Sequence, residues 1–298
     1  MRIAAIGIGS NSLRMLLADL SEGKLERIKR YREGLRVFSA LDEQKNILPS
    51  MIHQACQSVR AFQQEALAQG VKTVHLFATS AVRDAANQLE FAQKLREATG
   101  LELDICSGER EAQLSFWGVS EAKPTGLIDI GGGSTELAVG HGREVEDAVS
   151  LQAGAVRLYR LAPITTPQEA RRMVEYALEI LNPVRSRFVR PGVHWVGVGG
   201  TFTTSAALAQ GIPWQEREKI HGYCLKRQEL KELLEHMASL TMQQRLTLPG
   251  LQPQRADIVA HGMAILLACM RMLGISQIEV SEYGNLEGYL KAKYLFTE

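Results

Sequence analysis

The 298-residue chain carries 34 basic and 33 acidic residues, a formal charge of +1, so it lacks the charge bias of a general nucleic-acid or membrane-surface binder. Its length predicts two domains with ample core. The cysteines Cys56, Cys106, Cys224 and Cys269 follow neither a metal-ligand nor a disulfide spacing, which points to a reducing, cytoplasmic setting.

The chain opens directly on a strand-like run, Arg2 to Ile6, without the zones of a secretory signal. The longest apolar stretch, Gly262 to Met270, is too short to span a bilayer. After the turn Gly7-Ile8-Gly9-Ser10-Asn11-Ser12 the apolar run continues as a strand, and Leu25 to Val37 reads as a more charged strand pair. Ile52, Ala55, Val59, Phe62 and Ala66 recur at helical spacing before Gly70. A strand over Thr73 to Ala78 follows, then a helix from Asn87 to Gly100 with Glu90 placed for a capping box, then a strand over Leu101 to Ile105.

Near residue 126 the same series begins again, with a second turn, Asp129-Ile130-Gly131-Gly132-Gly133-Ser134. This predicts two copies of one α/β unit, divided into 1–122 and 123–298 by a short connection at Lys123-Pro124-Thr125. Pro167 to Leu181 reads as a helix and Val193 to Val198 as a buried strand that enters a third turn, Gly197-Val198-Gly199-Gly200-Thr201. Helices over Arg227 to Ser239 and Ile258 to Leu273, a strand over Gln277 to Ser281 and a last helix after Gly284 complete the chain.

Glycine lets backbone amides approach an anion closely, and successive turn amides form an anion-binding concavity. Each turn is also followed by hydroxyl or amide residues: Ser10, Asn11 and Ser12; Ser134 and Thr135; Thr201 and Thr203. Three such turns favour phosphate binding over plain hairpins. Asp129 lies inside an apolar strand, where a carboxylate needs compensation. A hydrated Mg²⁺ is the natural compensator, with Glu136 as a second acid. Glu109 and Glu111 both open a helix and are equal candidates for a proton-transfer role, and Arg83 could reach an anion or pair with Asp84. No His/Cys cluster has zinc spacing, and no serine sits in a nucleophile elbow.

The runs IGIGSNS at the start, ATSAVRDA at 78–85, SGEREA at 107–112 and IDIGGGSTEL at 128–137 together resemble the exopolyphosphatase / guanosine pentaphosphate phosphohydrolase (Ppx/GppA) family. AGAVRL at 153–158, GVGGTFTT at 197–204, LPGLQPQRADIV at 248–259 and VSEYGNLEG at 280–288 extend the resemblance over essentially the whole chain. It implies two ribonuclease-H-like domains of the actin-like ATPase superfamily with an interdomain active-site cleft. It also implies Mg²⁺-assisted hydrolysis of terminal phosphoanhydride bonds in inorganic polyphosphate or guanosine pentaphosphate, in a short form of the family, for which the resemblance suggests a homodimer. Glu111 then matches the catalytic glutamate and Asp129 the metal-associated acid. Gly131, Gly132, Gly133 and Ser134 match the phosphate loop, and Arg83 a phosphate-facing arginine.

Two departures stand out: Gly7 replaces the aspartate usual in the first turn, and Gly284-Asn285-Leu286 lacks the arginine expected two residues after the glycine. A catalytically weakened sensor of guanosine polyphosphates or polyphosphate is the main alternative. A small-molecule kinase of the same superfamily is the third reading.

Overall fold

The computed structural model describes residues 1–296. The chain divides into two compact units, Met1–Gly118 together with Asn285–Glu298, and Val119–Gly284.

The first unit holds strands β1 (Arg2–Ile8), β2 (Ser12–Ser21), β3 (Lys24–Gly34), β4 (Thr73–Ala78) and β5 (Leu103–Ile105) in the order β3-β2-β1-β4-β5. β1, β2 and β3 are antiparallel neighbours, whereas β4 runs parallel to β1 and β5 parallel to β4. The second unit holds β6 (Thr125–Ile130), β7 (Thr135–His141), β8 (Glu144–Leu151), β9 (His194–Val198), β10 (Cys224–Lys226) and β11 (Gln277–Ser281), in the order β10-β11-β9-β6-β7-β8. With the antiparallel edge strand β10 set aside, β6, β7, β8, β9 and β11 repeat β1 to β5 in order and direction. This is the ribonuclease-H-like arrangement, present twice.

Each helix is set by local chemistry and then fixed by packing. Helix Pro167–Leu181 starts where the Glu169 amide donates to Thr166 Oγ1 and the Thr166 amide donates to the Glu169 carboxylate, a capping box with proline at the first position. Helix Val259–Leu273 is buried at every position except Arg271, as expected of a helix that is apolar all round. It packs with helices Pro167–Leu181, Gly200–Gln210 and Arg227–Ser239 in the core of the second unit. In the first unit helix Pro49–Ala68 packs on β1 and β2 and buries Ile52, Ala55 and Val59.

Several elements differ from the sequence expectation. The run from Leu25 is one strand, β3, and not a pair; it ends at Gly34, and a 3₁₀ turn, Val37–Ala40, follows. β5 begins at Leu103 because the Thr99 hydroxyl takes the Leu101 amide. Asn87 does not cap its helix through a capping box: its amide group binds the backbone N–H and C=O of Ile47, and its Nδ2 also donates to Glu90. The last helix, Asn285–Tyr294, groups with the first unit and not with the second. Leu286, Tyr289 and Leu290 are buried there with Ile3, Ala5, Leu16 and Phe77, and burying side chains of this size stabilises by about 1.5–3 kcal/mol each.

Candidate functional site

The first two glycine turns are built on one hydrogen-bond frame. In the first, the Gly9 amide donates to the Ser12 carbonyl at 3.0 Å; in the second, the Gly131 amide donates to the Ser134 carbonyl at 2.9 Å. An added Cβ at either glycine would lie 3.3 Å from that closing carbonyl. Other turn carbonyls accept from neighbouring segments. Ser10 C=O accepts from the Phe38 amide, and Asn11 C=O from Leu35 and Arg36. In the second turn Gly131 C=O accepts from Ala155, and Gly132 C=O from Val156 and Arg157, while Arg157 Nε donates to Gly133 C=O at 2.7 Å.

The amides of Ser10 and Asn11, and of Gly132, Gly133 and Ser134, donate to no backbone carbonyl outside the regular elements. Asn11 Oδ1 and Ser134 Oγ are buried without a hydrogen-bond partner. Native folds rarely leave buried polar groups unpaired. Donor-rich turns with orphaned polar atoms beside them are the surroundings an anion would complete.

Around the first turn the structure brings together Ser10, Ser80, Arg83 and Glu111. Ser10 Oγ and Ser80 Oγ share a 2.8 Å hydrogen bond. One helical turn on, Arg83 Nη1 donates to Glu111 Oε2 at 2.8 Å and to the Cys106 carbonyl at 3.2 Å. Glu111 is only 6% exposed, whereas Glu109 is exposed. Arg83 also reaches Asp84 at 3.7 Å, so much of its guanidinium serves to hold neighbouring groups. The Cys106 thiol is pushed up to about 12 by burial and by the charges of Asp104 and Glu111, which makes it inert at neutral pH.

Two residues at this turn were not singled out from the sequence. Arg14 lies directly across β1–β2 from Gly7, with Nη2 donating to Asn285 Oδ1 at 3.2 Å and Nε buried without a partner. Phe77 is the β4 neighbour of Gly7. Its ring occupies the space a side chain at position 7 would need, 2.8 Å from the position of an added Cβ.

In the second unit Asp129 and Glu136 face each other across β6–β7, with Cβ atoms on one face about 4.5–5.5 Å apart. Glu136 is 1% exposed and its Oε1 accepts from Ser150 Oγ at 2.7 Å. Like charges directly opposite destabilise a sheet unless a cation intervenes. Two hard oxygen donors suit Mg²⁺, which retains water and takes few protein ligands, so the residues present fit such an ion. No larger cluster of metal-ligating side chains occurs among the described residues.

The third turn packs against the same carboxylate. Gly199, at φ +95°, is a conformation that needs glycine, and an added Cβ there would lie 3.0 Å from Asp129 Oδ1. Gly200 is covered by the Arg255 guanidinium, 1.8 Å from its hypothetical Cβ. Two hydroxyls expected at the phosphate turn inward instead. Thr135 is fully buried and donates to the Ala153 carbonyl, and Thr201 packs its hydroxyl against Gly262.

The Ppx/GppA phosphatase family model matches residues 16–295. The chain belongs to this family. Exopolyphosphatase 2 of Mycobacterium tuberculosis is 32% identical over 96% of the chain and 97% of its own length. The Aquifex aeolicus PPX-GPPA enzyme is 28% identical, with a TM-score of 0.83 over 98% of this chain and 99% of its own. An exopolyphosphatase structure from Cytophaga hutchinsonii matches the fold at a TM-score of 0.89 and 23% identity, over 100% of this chain and 99% of that one. The chain is thus a phosphatase by family. No helix among the described residues is long and apolar enough to cross a membrane.

Proposed function

We propose that the chain hydrolyses terminal phosphoanhydride bonds and releases orthophosphate from inorganic polyphosphate or guanosine pentaphosphate. The observation that carries this reading is the shared frame of the two turns, in which Gly9 and Gly131 amides close on the Ser12 and Ser134 carbonyls and the amides of Ser10, Asn11, Gly132, Gly133 and Ser134 donate to no backbone carbonyl outside the regular elements. Family membership directs those donors to phosphate, and the relative's name, exopolyphosphatase, directs them to polyphosphate.

In this reading the amides of Ser10, Asn11, Gly132, Gly133 and Ser134 take up phosphate oxygens, and Arg14 adds a fixed positive charge beside the first turn. Glu111 orients the attacking water and accepts its proton as the new P–O bond forms. The bridging P–O bond breaks, and the shortened chain leaves with the electron pair on its oxygen. Arg83 holds the carboxylate of Glu111 in place through their 2.8 Å bond. Asp129 and Glu136 would hold Mg²⁺, which offsets the charge on phosphate oxygens when bound. Phosphoryl transfer of this kind needs positioning and electrostatics, with no covalent intermediate.

The intact Glu111–Arg83 pair favours turnover over binding alone. The test is phosphate release from polyphosphate and from guanosine pentaphosphate, with Mg²⁺ or with chelator. Glu111→Gln should lower the rate by about 10²–10⁴-fold; an unchanged rate would remove Glu111 from the mechanism.

A further inference from the structure

Helix Gly108–Val119 carries Glu111 in its first turn, and three contacts fix where that helix lies. At its start the Arg110 amide donates to Ser107 Oγ at 3.1 Å and the Glu111 amide to the Ser107 carbonyl at 2.9 Å. The other two contacts come from the last helix, Asn285–Tyr294, in the same unit. Gly288 meets the middle of the glutamate helix backbone to backbone. A Cβ added at Gly288 would lie 1.7 Å from the Leu114 carbonyl oxygen, 2.7 Å from its carbon and 3.0 Å from the Gly118 amide nitrogen. Lys291 reaches the far end, where its Nζ donates to the Trp117 carbonyl at 2.7 Å and to the Gly118 carbonyl at 3.5 Å.

The last carbonyls of a helix lack partners within it. The Lys291 ammonium satisfies two of them and matches the negative end of the helix dipole. Gly288 lies inside a helix, where glycine costs roughly 0.5–1 kcal/mol relative to alanine, and its φ is not positive. Close approach, not backbone conformation, is therefore what calls for glycine here. Leu114 is buried beside this contact with Leu286, Tyr289 and Leu290, and close-packed interiors transmit a shift instead of absorbing it. Glu111 lies one helical turn before Leu114, about 4.5 Å along the axis, so a displacement at Leu114 carries to the carboxylate that Arg83 holds.

We infer, on the proposed role of Glu111, that Gly288 and Lys291 are positioning residues for that glutamate: the last helix sets the depth and axial position of helix Gly108–Val119, and with them the place from which Glu111 addresses water. Neither residue touches the reacting atoms. Phosphate oxygens are taken up by the turns, so the last helix acts on turnover and not on substrate binding.

The test is steady-state phosphate release from polyphosphate by wild type, Gly288→Ala, Glu111→Gln and the double variant. Gly288→Ala must open the 1.7 Å approach beyond 3.0 Å, and misplacement by about 1 Å lowers turnover on the order of 10²-fold. We expect that loss in kcat with KM unchanged. In the Glu111→Gln background Gly288→Ala should cost nothing further, because the group it misplaces is already gone. Lys291→Met should show the same pattern to a smaller degree, with recovery in Lys291→Arg, and it carries the cycle if Gly288→Ala does not fold. An equal loss with and without Glu111, or a raised KM at wild-type kcat, would overturn the positioning role. An unchanged rate in Glu111→Gln alone would instead count against the proposed role of Glu111, and the inference would fall with it.

Discussion

Gly7→Ala is expected to destabilise the first unit through overpacking, because Gly7 does not have the positive φ that would call for glycine. An added Cβ would lie 2.8 Å from Phe77 Cζ and 3.2 and 3.3 Å from its Cε atoms, inside the 3.5–4.0 Å optimum for carbon contacts. The ring has little room to yield: Phe77 is fully buried and stacked on Tyr289 at 4.5 Å and 8°. Tyr289 is in turn anchored by a 2.9 Å hydrogen bond from its hydroxyl to Asp104. Overpacking of this kind costs about 1–3 kcal/mol, and each kcal/mol lowers Tm by roughly 2–4 °C in a domain of 150–250 residues. Thermal and urea unfolding of Gly7→Ala, Phe77→Leu and the double variant would measure it. The double variant should be more stable than the summed single effects predict, by about 0.5–3 kcal/mol. Wild-type stability for Gly7→Ala, or strict additivity, would refute the steric account. Gly7→Asp would meet the same ring, with Arg14 across the strand pair as a partial offset, so it is a poor means of restoring an acid.

Two further outcomes follow from packing and burial. Gly154→Ala would place a Cβ 2.3 Å from the Gly132 carbonyl oxygen and from Gly133 C, pushing the second turn outward; phosphate release should fall on the order of 10²-fold with only modest loss of Tm, and an unchanged rate would show that this turn does not position substrate. His75 and His261 are both held below the ordinary imidazole range, chiefly by burial. Between their native values and about 6.5 the unfolded chain binds protons that the native state does not, so stability should rise with pH through that window and be lost as pH falls. Urea midpoints from about pH 5 to 7.5 should show a shallower slope in His261→Gln than in wild type; equal slopes would exclude His261 as a contributor.

What could be read from the sequence depended on how local the determinant was. Helix Pro167–Leu181 and strand Thr73–Ala78 were legible to the residue, because Pro167 marks the helix start, Pro183 lies just past its end and a β-rich run marks the strand. The turns at Gly9 and Gly131 were legible from glycine spacing. Their shared support was not, since the donors at Leu35 to Phe38 and Ala155 to Arg157 lie in short segments without periodicity. Helix Ala155–Leu161 and strand β10 went unread for the same reason. The last helix was placed by sequence adjacency, but the Phe77–Tyr289 stack that draws it to the first unit depends on residues far apart in the chain. Arg14 left one signal: it is a cation inside the otherwise apolar run Leu13 to Ala18.

The internal repeat turns the missing acid into a comparison between aligned positions. Gly7, Arg14 and Phe77 of the first sheet correspond in register to Asp129, Glu136 and Val198 of the second. On the second sheet two carboxylates face each other, an arrangement relieved by a bound cation. On the first, a guanidinium with no carboxylate partner among the described residues faces a glycine, and an aromatic ring takes up the remaining space. A divalent ion at the first turn would meet the charge of Arg14 and the bulk of Phe77, whereas a phosphate oxygen would meet a donor. The exchange of aspartate for glycine therefore does not leave half of a metal site. It fits the proposed division of work, in which the first turn would attract phosphate with a covalently fixed cation and the second would hold an exchangeable one.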